Sequence, residues 1–250
     1  MSKYSAQIFL LTILFISVIS VPAKAQIDTL HVGHVFKHAD EIEDGESMYV
    51  IYREDTEGNI LPFAMKRHTI THDGNEIKVV QEQFTPEQTK VLETWINPET
   101  LETSRHKRTT DGEIESYLFS EKTVTANPEI ESKNEGFSVP LSNPVFNFEI
   151  DFEFMKVIAW EERDAVVISF YHPGGPKPQF YTFSVDGEEV IDLANGSSVD
   201  TWVIHTDYNM GQDARFWVSK STREVIKQET DLTSQAGFKV FKLRTYPNEQ

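Results

Sequence analysis

The side chains with the most obvious capacity for chemistry are histidines near the start of the chain. His31, His34 and His38 form an H-x2-H-x3-H cluster, with Asp28 and Asp40 close by. On a helix the three imidazoles would share a face and could bind zinc. Nothing in the surrounding residues makes that stretch a helix, so a solvated segment without metal is expected. His68 and His72 share a face of a strand-like run, KRHTITHD, which reads as an exposed polar face. His172 and His205 stand among strand residues and need no function. No Gly-x-Ser-x-Gly elbow, His-Glu-x-x-His helix or phosphate loop occurs. His172–Pro176 (HPGGP) is a Gly-rich turn with no helix start after it. Acidic pairs such as Glu161 and Glu162 are too common, among 40 Asp and Glu, to mark a glycosidase dyad. The chain has no cysteine, which removes thiol catalysis, thiolate metal sites and iron–sulfur clusters. The expectation is a protein that is not an enzyme, with no catalytic residue, metal or cofactor.

The amino terminus sets the expected compartment. Lys3 precedes an apolar run, Ile8–Val21, then Pro22 and the small-residue site Ala23-Lys24-Ala25. This pattern is a Sec-type signal peptide over residues 1–25, cleaved after Ala25, and it places the remaining chain in the periplasm or outside the cell. No later stretch is apolar enough to span a bilayer, so no transmembrane anchor is expected after cleavage. Net charge is −17, and because residues 1–25 hold two lysines and no acid the remainder carries −19. That balance argues against nucleic acid and anionic membrane surfaces as partners.

Short alternating runs separated by turn signals dominate the rest. SMYVIYRE (47–54), DAVVISFYH (164–172), QFYTFSV (179–185), VDTWVIHT (199–206) and FKVFKLRTY (238–246) are rich in Thr, Val, Ile and aromatics. Asp73-Gly74, Asp111-Gly112, Asp186-Gly187 and Asn195-Gly196 read as hairpin turns, which need positive φ. The fold class is therefore mainly antiparallel β. Two stretches repeat: Trp95, Thr100, Glu102 and Arg105 fall on Trp217, Thr222, Glu224 and Lys227 at one offset of 122. TITHDGNEI (69–77) falls on TFSVDGEEV (182–190) at an offset of 113. Two related halves, about 46–120 and 164–244, are expected to build one large sheet in a single domain, 26–250. Trp95 and Trp217 each end a strand, where a ring could cover the core edge.

The insert 125–160 holds the densest aromatic cluster. Phe146, Phe148, Ile150, Phe152 and Phe154 alternate with Asn or acids, which suits a strand. Val145, Phe148, Phe152 and Met155 also suit a helical face, with Asn143 as cap and Pro144 in the first position. The pattern leaves 144–158 open between helix and strand.

Several of these features together resemble a known family. Tyr181, Val185, Gly187 and Glu189, the Asp200-Thr-Trp-Val run, Phe216-Trp-Val with Thr222-Arg-Glu-Val, and YHPGG at 171–175 are similar to a family of exported bacterial proteins of unknown function, number 3108 among such domains. The resemblance implies a fold like the periplasmic lipoprotein carriers of the LolA and LolB type. That fold is a curved, incomplete antiparallel barrel with short helices plugging its hollow, and 143–158 would then be a plug helix. The family brings no catalytic residues to transfer.

A sheet too wide to fill itself must be plugged or hold a guest. Phe146, Phe148, Phe152, Phe154, Met155, Trp160 and Trp202 are the expected lining of an apolar hollow. The expected function is non-enzymatic binding or carriage of a lipid or other apolar small molecule. The alternative is a scaffold or accessory protein that docks a cell-envelope protein.

Overall fold

The computed structural model describes residues 27–193, 195–208 and 211–245; the apolar run and the cleavage site after Ala25 lie outside them. In chain order the strands are β1 (Asp28–Leu30), β2 (Gly45–Asp55), β3 (Ile60–Asp73), β4 (Glu76–Phe84), β5 (Thr89–Ile96), β6 (Thr103–Thr110), β7 (Glu113–Phe119), β8 (Thr123–Ala126), β9 (Ser138–Pro140), β10 (Phe146–Asn147), β11 (Ala165–Tyr171), β12 (Gln179–Asp192), β13 (Ser198–Thr206), β14 (Ala214–Ser219), β15 (Val225–Asp231) and β16 (Phe238–Thr245). Two short helices, α1 (Asp151–Val157) and α2 (Thr233–Ala236), complete the set.

All the strands belong to one curved sheet. Its order is β1-β11-β12-β13-β14-β15-β16-β2-β3-β4-β5-β6-β7-β8-β9, with β10 also on β11. Neighbours are antiparallel except β1 and β10, which run parallel to β11. The two sheet ends do not pair. They meet through side chains instead: Tyr117, Val124 and Val139 from one end pack with Val145 and Tyr171 from the other. The result is an open barrel, and its three-residue end strands leave little edge for another chain to extend.

The two repeated stretches form the same turn. Asn97 N–H donates to the Glu102 carbonyl and Leu101 N–H to the Asn97 carbonyl, both at 2.9 Å; Ser219 with Glu224, and Arg223 with Ser219, make the same bonds at 2.9 Å. Leu101 (φ 55°) and Arg223 (φ 56°) both take the left-handed conformation. Asn97 and Ser219 side chains accept from the N–H groups of Thr100 and Thr222. A bulge just before each turn, at Trp95/Ile96 and Trp217/Val218, completes the match. Both Trp rings lie on the convex face, not over the core edge. Trp95 is flanked by Lys78 and Arg105, and Trp217 by Lys227 at 3.9 Å.

Two turn expectations part company. Asp73-Gly74, Asp111-Gly112 and Asn195-Gly196 turn hairpins. Asp186-Gly187 does not. It lies inside β12, where Gly187 (φ 150°) forms a bulge against β13. The positive φ that Asp-Gly signals is used there to bend a long strand.

The insert resolves as strand and helix in succession. Phe146 and Asn147 pair with Phe170 and Tyr171; residues Phe148–Ile150 then make a 3-10 turn that runs into α1. The cap is Asn147, whose side chain accepts from Glu149 N–H, rather than Asn143. The segment lies in the hollow of the sheet. Arg223 ties its far end, donating to the carbonyls of Lys156 (2.9 Å) and Ile158 (2.5 Å) and to Glu161 (3.1 Å).

Candidate functional site

The hollow has two unlike walls, with α1 between them. Strands β11 to β15 supply an apolar wall. Phe154 meets Phe170 edge-on at 5.0 Å and Phe146 at 4.7 Å, and Phe152 lies 6.2 Å from Phe216. Trp160 is buried and donates from Nε1 to the Met155 carbonyl at 2.9 Å. Trp202 is buried in the same cluster, with the Arg223 guanidinium 5.3 Å above its ring. Phe148 lies against His172, the rings tilted with centroids 3.9 Å apart, and is partly exposed. The seven residues expected to line a hollow are thus brought together, and they fill it with one another. Of the seven, Phe148 and Phe152 also border the cavities described below.

The other wall changes character along its strands. Cross-strand pairing on the concave face gives rows that run from one end to the other. Ile77 faces Ile96; the next row is Ile70, Val79, Thr94 and His106. Then come His68, Gln81, Leu92 and Arg108, and finally Tyr49, Lys66, Gln83 and Lys90. The rows pass from apolar to polar to cationic. Lys242 of β16 adds a further ammonium group beside them.

Here the sequence expectation fails for KRHTITHD. His68 is buried, at 6 % exposure, with Nε2 2.8 Å from Glu153 Oε1 in an ion pair off hydrogen-bond alignment. Of the two histidines in that run His72 is the exposed one, beside Asp44 at 2.7 Å. The signal was available: Lys66 and His68 alternate in phase with Ala64 and Ile70, so one face carries all four. Glu149, Asp151 and Glu153 alternate with the phenylalanines in the same way and supply the opposite charge.

Burial sets the electrostatics. Lys66 is 6 % exposed, and burial, followed by repulsion from Lys242, lowers its pKa to about 8. Burial likewise lowers Lys242 and raises Asp151. Burial also works against ionised Glu149, but Lys90, His106 and Arg108 outweigh it and hold the carboxyl below its usual value. Glu153 behaves alike, with His68 the chief opposing influence. His106 is fully buried; it shares a 2.8 Å hydrogen bond with Thr94 and is lowered to about 4, chiefly by burial.

Two cavities lie between α1 and the charged wall. One, about 200 Å³, is lined by Lys66, Lys90, Lys242, Gln81, Asp151 and Phe148, among others. A smaller one, about 40 Å³, lies across the Phe152 ring beside His68 and Glu153. A larger cavity of about 700 Å³ is bounded by the loop between β8 and β9, with Asn127, Glu131, Glu135 and Phe137 in its lining. It contains no buried charge and stands apart from the hollow. The amino-terminal histidines serve separate neighbours: His38 contacts Glu41 and Glu161, each at 2.8 Å, and His34 packs edge-on against Phe36. Among the described residues no group of His, Asp or Glu is arranged to hold a metal, and no helix is long and apolar enough to cross a membrane.

Fold and site define a mainly β protein, an open antiparallel barrel wound around a short internal plug. Residues 48–238 match the family described as Protein of unknown function (DUF3108), and the chain belongs to that family. Among solved structures it is similar to a beta-barrel-like protein of domain of unknown function DUF1849 from Brucella abortus, at 10 % identity and a TM-score of 0.49 over 80 % of this chain and 95 % of that one. None of the curated proteins compared with the chain matches it.

Proposed function

We propose that the chain is a non-enzymatic binding or carrier protein of the cell envelope, exported by its amino-terminal segment. Its guest is a lipid-like or other apolar molecule, admitted to the hollow when α1 moves aside. This is the role that the resemblance to the LolA and LolB carriers implies. One observation supports it above the others: the seam between α1 and the charged wall. On that side Glu153 is paired with His68, Asp151 shares a cavity wall with Lys66 and Lys242, and a second, smaller cavity borders Phe152. A contact made of buried charge and small voids is cheap to open compared with a close-packed apolar one. Opening it would expose the aromatic face of the opposite wall to a guest, whose burial contributes roughly 25 cal/mol per Å² of apolar surface.

Native mass spectrometry of protein prepared without detergent tests the reading. A species heavier than the bare chain, or displacement of a fluorescent fatty-acid probe by lipid extract, is expected. A bare mass together with no probe binding contradicts it.

A second reading is a scaffold that docks a cell-envelope protein. It draws on the exposed Ile60, Leu61, Met65 and Phe84, gathered where β3 begins and β4 ends. Crosslinking in cells separates the two, since a scaffold would capture one recurring protein while free of lipid.

A further inference from the structure

We propose that the cavity between Lys66, Lys90 and Lys242 is a binding site for one oxyanion group, a carboxylate or a phosphate. The argument starts from partners. Lys66 is 6 % exposed, yet among the described residues its ammonium group has no hydrogen bond and no carboxylate within ion-pair distance; its close contact is the Phe152 ring, 4.7 Å away. Lys242 is half-buried, 5.4 Å from the same ring, and among the described residues also has no carboxylate within ion-pair distance. Buried cations are ordinarily paired. Here buried Lys66 and half-buried Lys242 approach the same cavity without a pairing carboxylate, and Lys90 joins them on its wall.

The acids nearby do not balance them. Glu149 is already bound by Arg108, at 3.1 Å, and Arg108 also holds Glu115 at 2.9 Å. Glu153 is already paired with His68, which leaves Asp151 to face three lysines, and a bound oxyanion would offset part of that excess positive charge. The neutral donors agree with this. Gln81 gives its amide to the Glu149 carbonyl, while the Gln83 side chain also borders the cavity. The volume, about 200 Å³, is about seven water volumes, enough for one phosphate or carboxylate head with a little residual solvent. Leu92 and Phe148 form the apolar part of the lining, where the first carbons of a tail could rest.

Charge around Lys66 also predicts a proton signature. It is faced by Lys242 from β16, Asp151 and Glu153 from α1, and Glu149 just before it, and its pKa of about 8 reflects burial first. A bound anion favours the charged form, so binding near that pH takes up protons. The site stands whether or not the plug opens, because free phosphate and the head of an amphiphile offer the same chemistry.

Calorimetric titration of the full chain with inorganic phosphate, acetate, dodecanoate and neutral dodecanol decides it. Phosphate or dodecanoate should bind one to one, with proton uptake near pH 8. Lys66→Met and Lys242→Met should each weaken that binding by at least about tenfold, and leave dodecanol unaffected. Lys90→Gln, at a partly exposed position where folding is not at stake, should weaken it less. Binding of dodecanoate alone assigns the site to a head group; binding of phosphate, with no displacement of the plug by either twelve-carbon probe, leaves the site and removes the lipid reading. No binding of any anion, or binding indifferent to all three substitutions, overturns the site. In the latter case equal binding of dodecanol and dodecanoate would keep the carrier reading while the anion site fails.

Discussion

Replacing Lys66 by Met should make the free protein more stable. Lys66 loses water on folding and gains no pairing partner in return. Its pKa falls from 10.5 to about 8. At 1.36 kcal/mol per unit, the charged side chain withholds about 3 kcal/mol of stability below that pH. Methionine has a similar length and needs no solvation, but loses the contact with the Phe152 ring, about 0.5–1 kcal/mol. The net gain is about 2 kcal/mol, or about 4–8 °C in Tm for a chain of this size. The sign with pH follows from the direction of the shift. A lysine whose folded pKa is lowered destabilises fully below about 8, and the effect fades as pH rises toward 10.5, where the unfolded chain also releases the proton. Urea denaturation followed by far-ultraviolet circular dichroism, at neutral pH and at steps above pH 8, measures both. A variant less stable than the parent at neutral pH refutes the reasoning, as does a difference that fails to shrink with rising pH.

Other changes should act in stated directions. Arg223→Met strips the Lys156 and Ile158 carbonyls of their donor and should cost about 2–4 kcal/mol in the same urea assay. Phe154→Ala empties a fully buried site between Phe146 and Phe170; a loss of about 3–5 kcal/mol and new binding of a hydrophobic dye are expected. Burial works against ionised Glu161, but its own backbone N–H, His38 and Arg223 outweigh burial and bring it to about 2. Its contribution is therefore present above 4.5 and lost as pH falls toward 2; Glu161→Gln should flatten that part of the stability–pH curve.

Strands were legible where alternation met β-branched residues, as in VDTWVIHT, and most hairpins where Asn-Gly or Asp-Gly stood between them. Asp186-Gly187 misled because a bulge and a turn ask the same thing of a glycine. The insert was ambiguous for a physical reason: Phe146 belongs to a strand and Phe152 to a helix, so both periods were present in one run. The charged wall was the least legible. A buried lysine on a strand has the same pattern as a solvated one, and Lys66 and His68 differ from surface residues only through the acids of a segment some 80 positions away. Phe148 alone of the cationic cavity's lining was named from sequence, and only for its ring. Trp95 and Trp217 point outward by simple alternation, between inward Thr94 and Ile96 and between inward Phe216 and Val218.

The most direct test of the central claim uses a fatty acid carrying a nitroxide near its tail, added to isotope-labelled protein. Paramagnetic broadening should concentrate on the amides of α1 and on the concave residues Phe170, Phe183 and Phe216. Broadening confined to Ile60, Leu61 and Phe84, or spread evenly over the convex face, would contradict a guest inside the barrel.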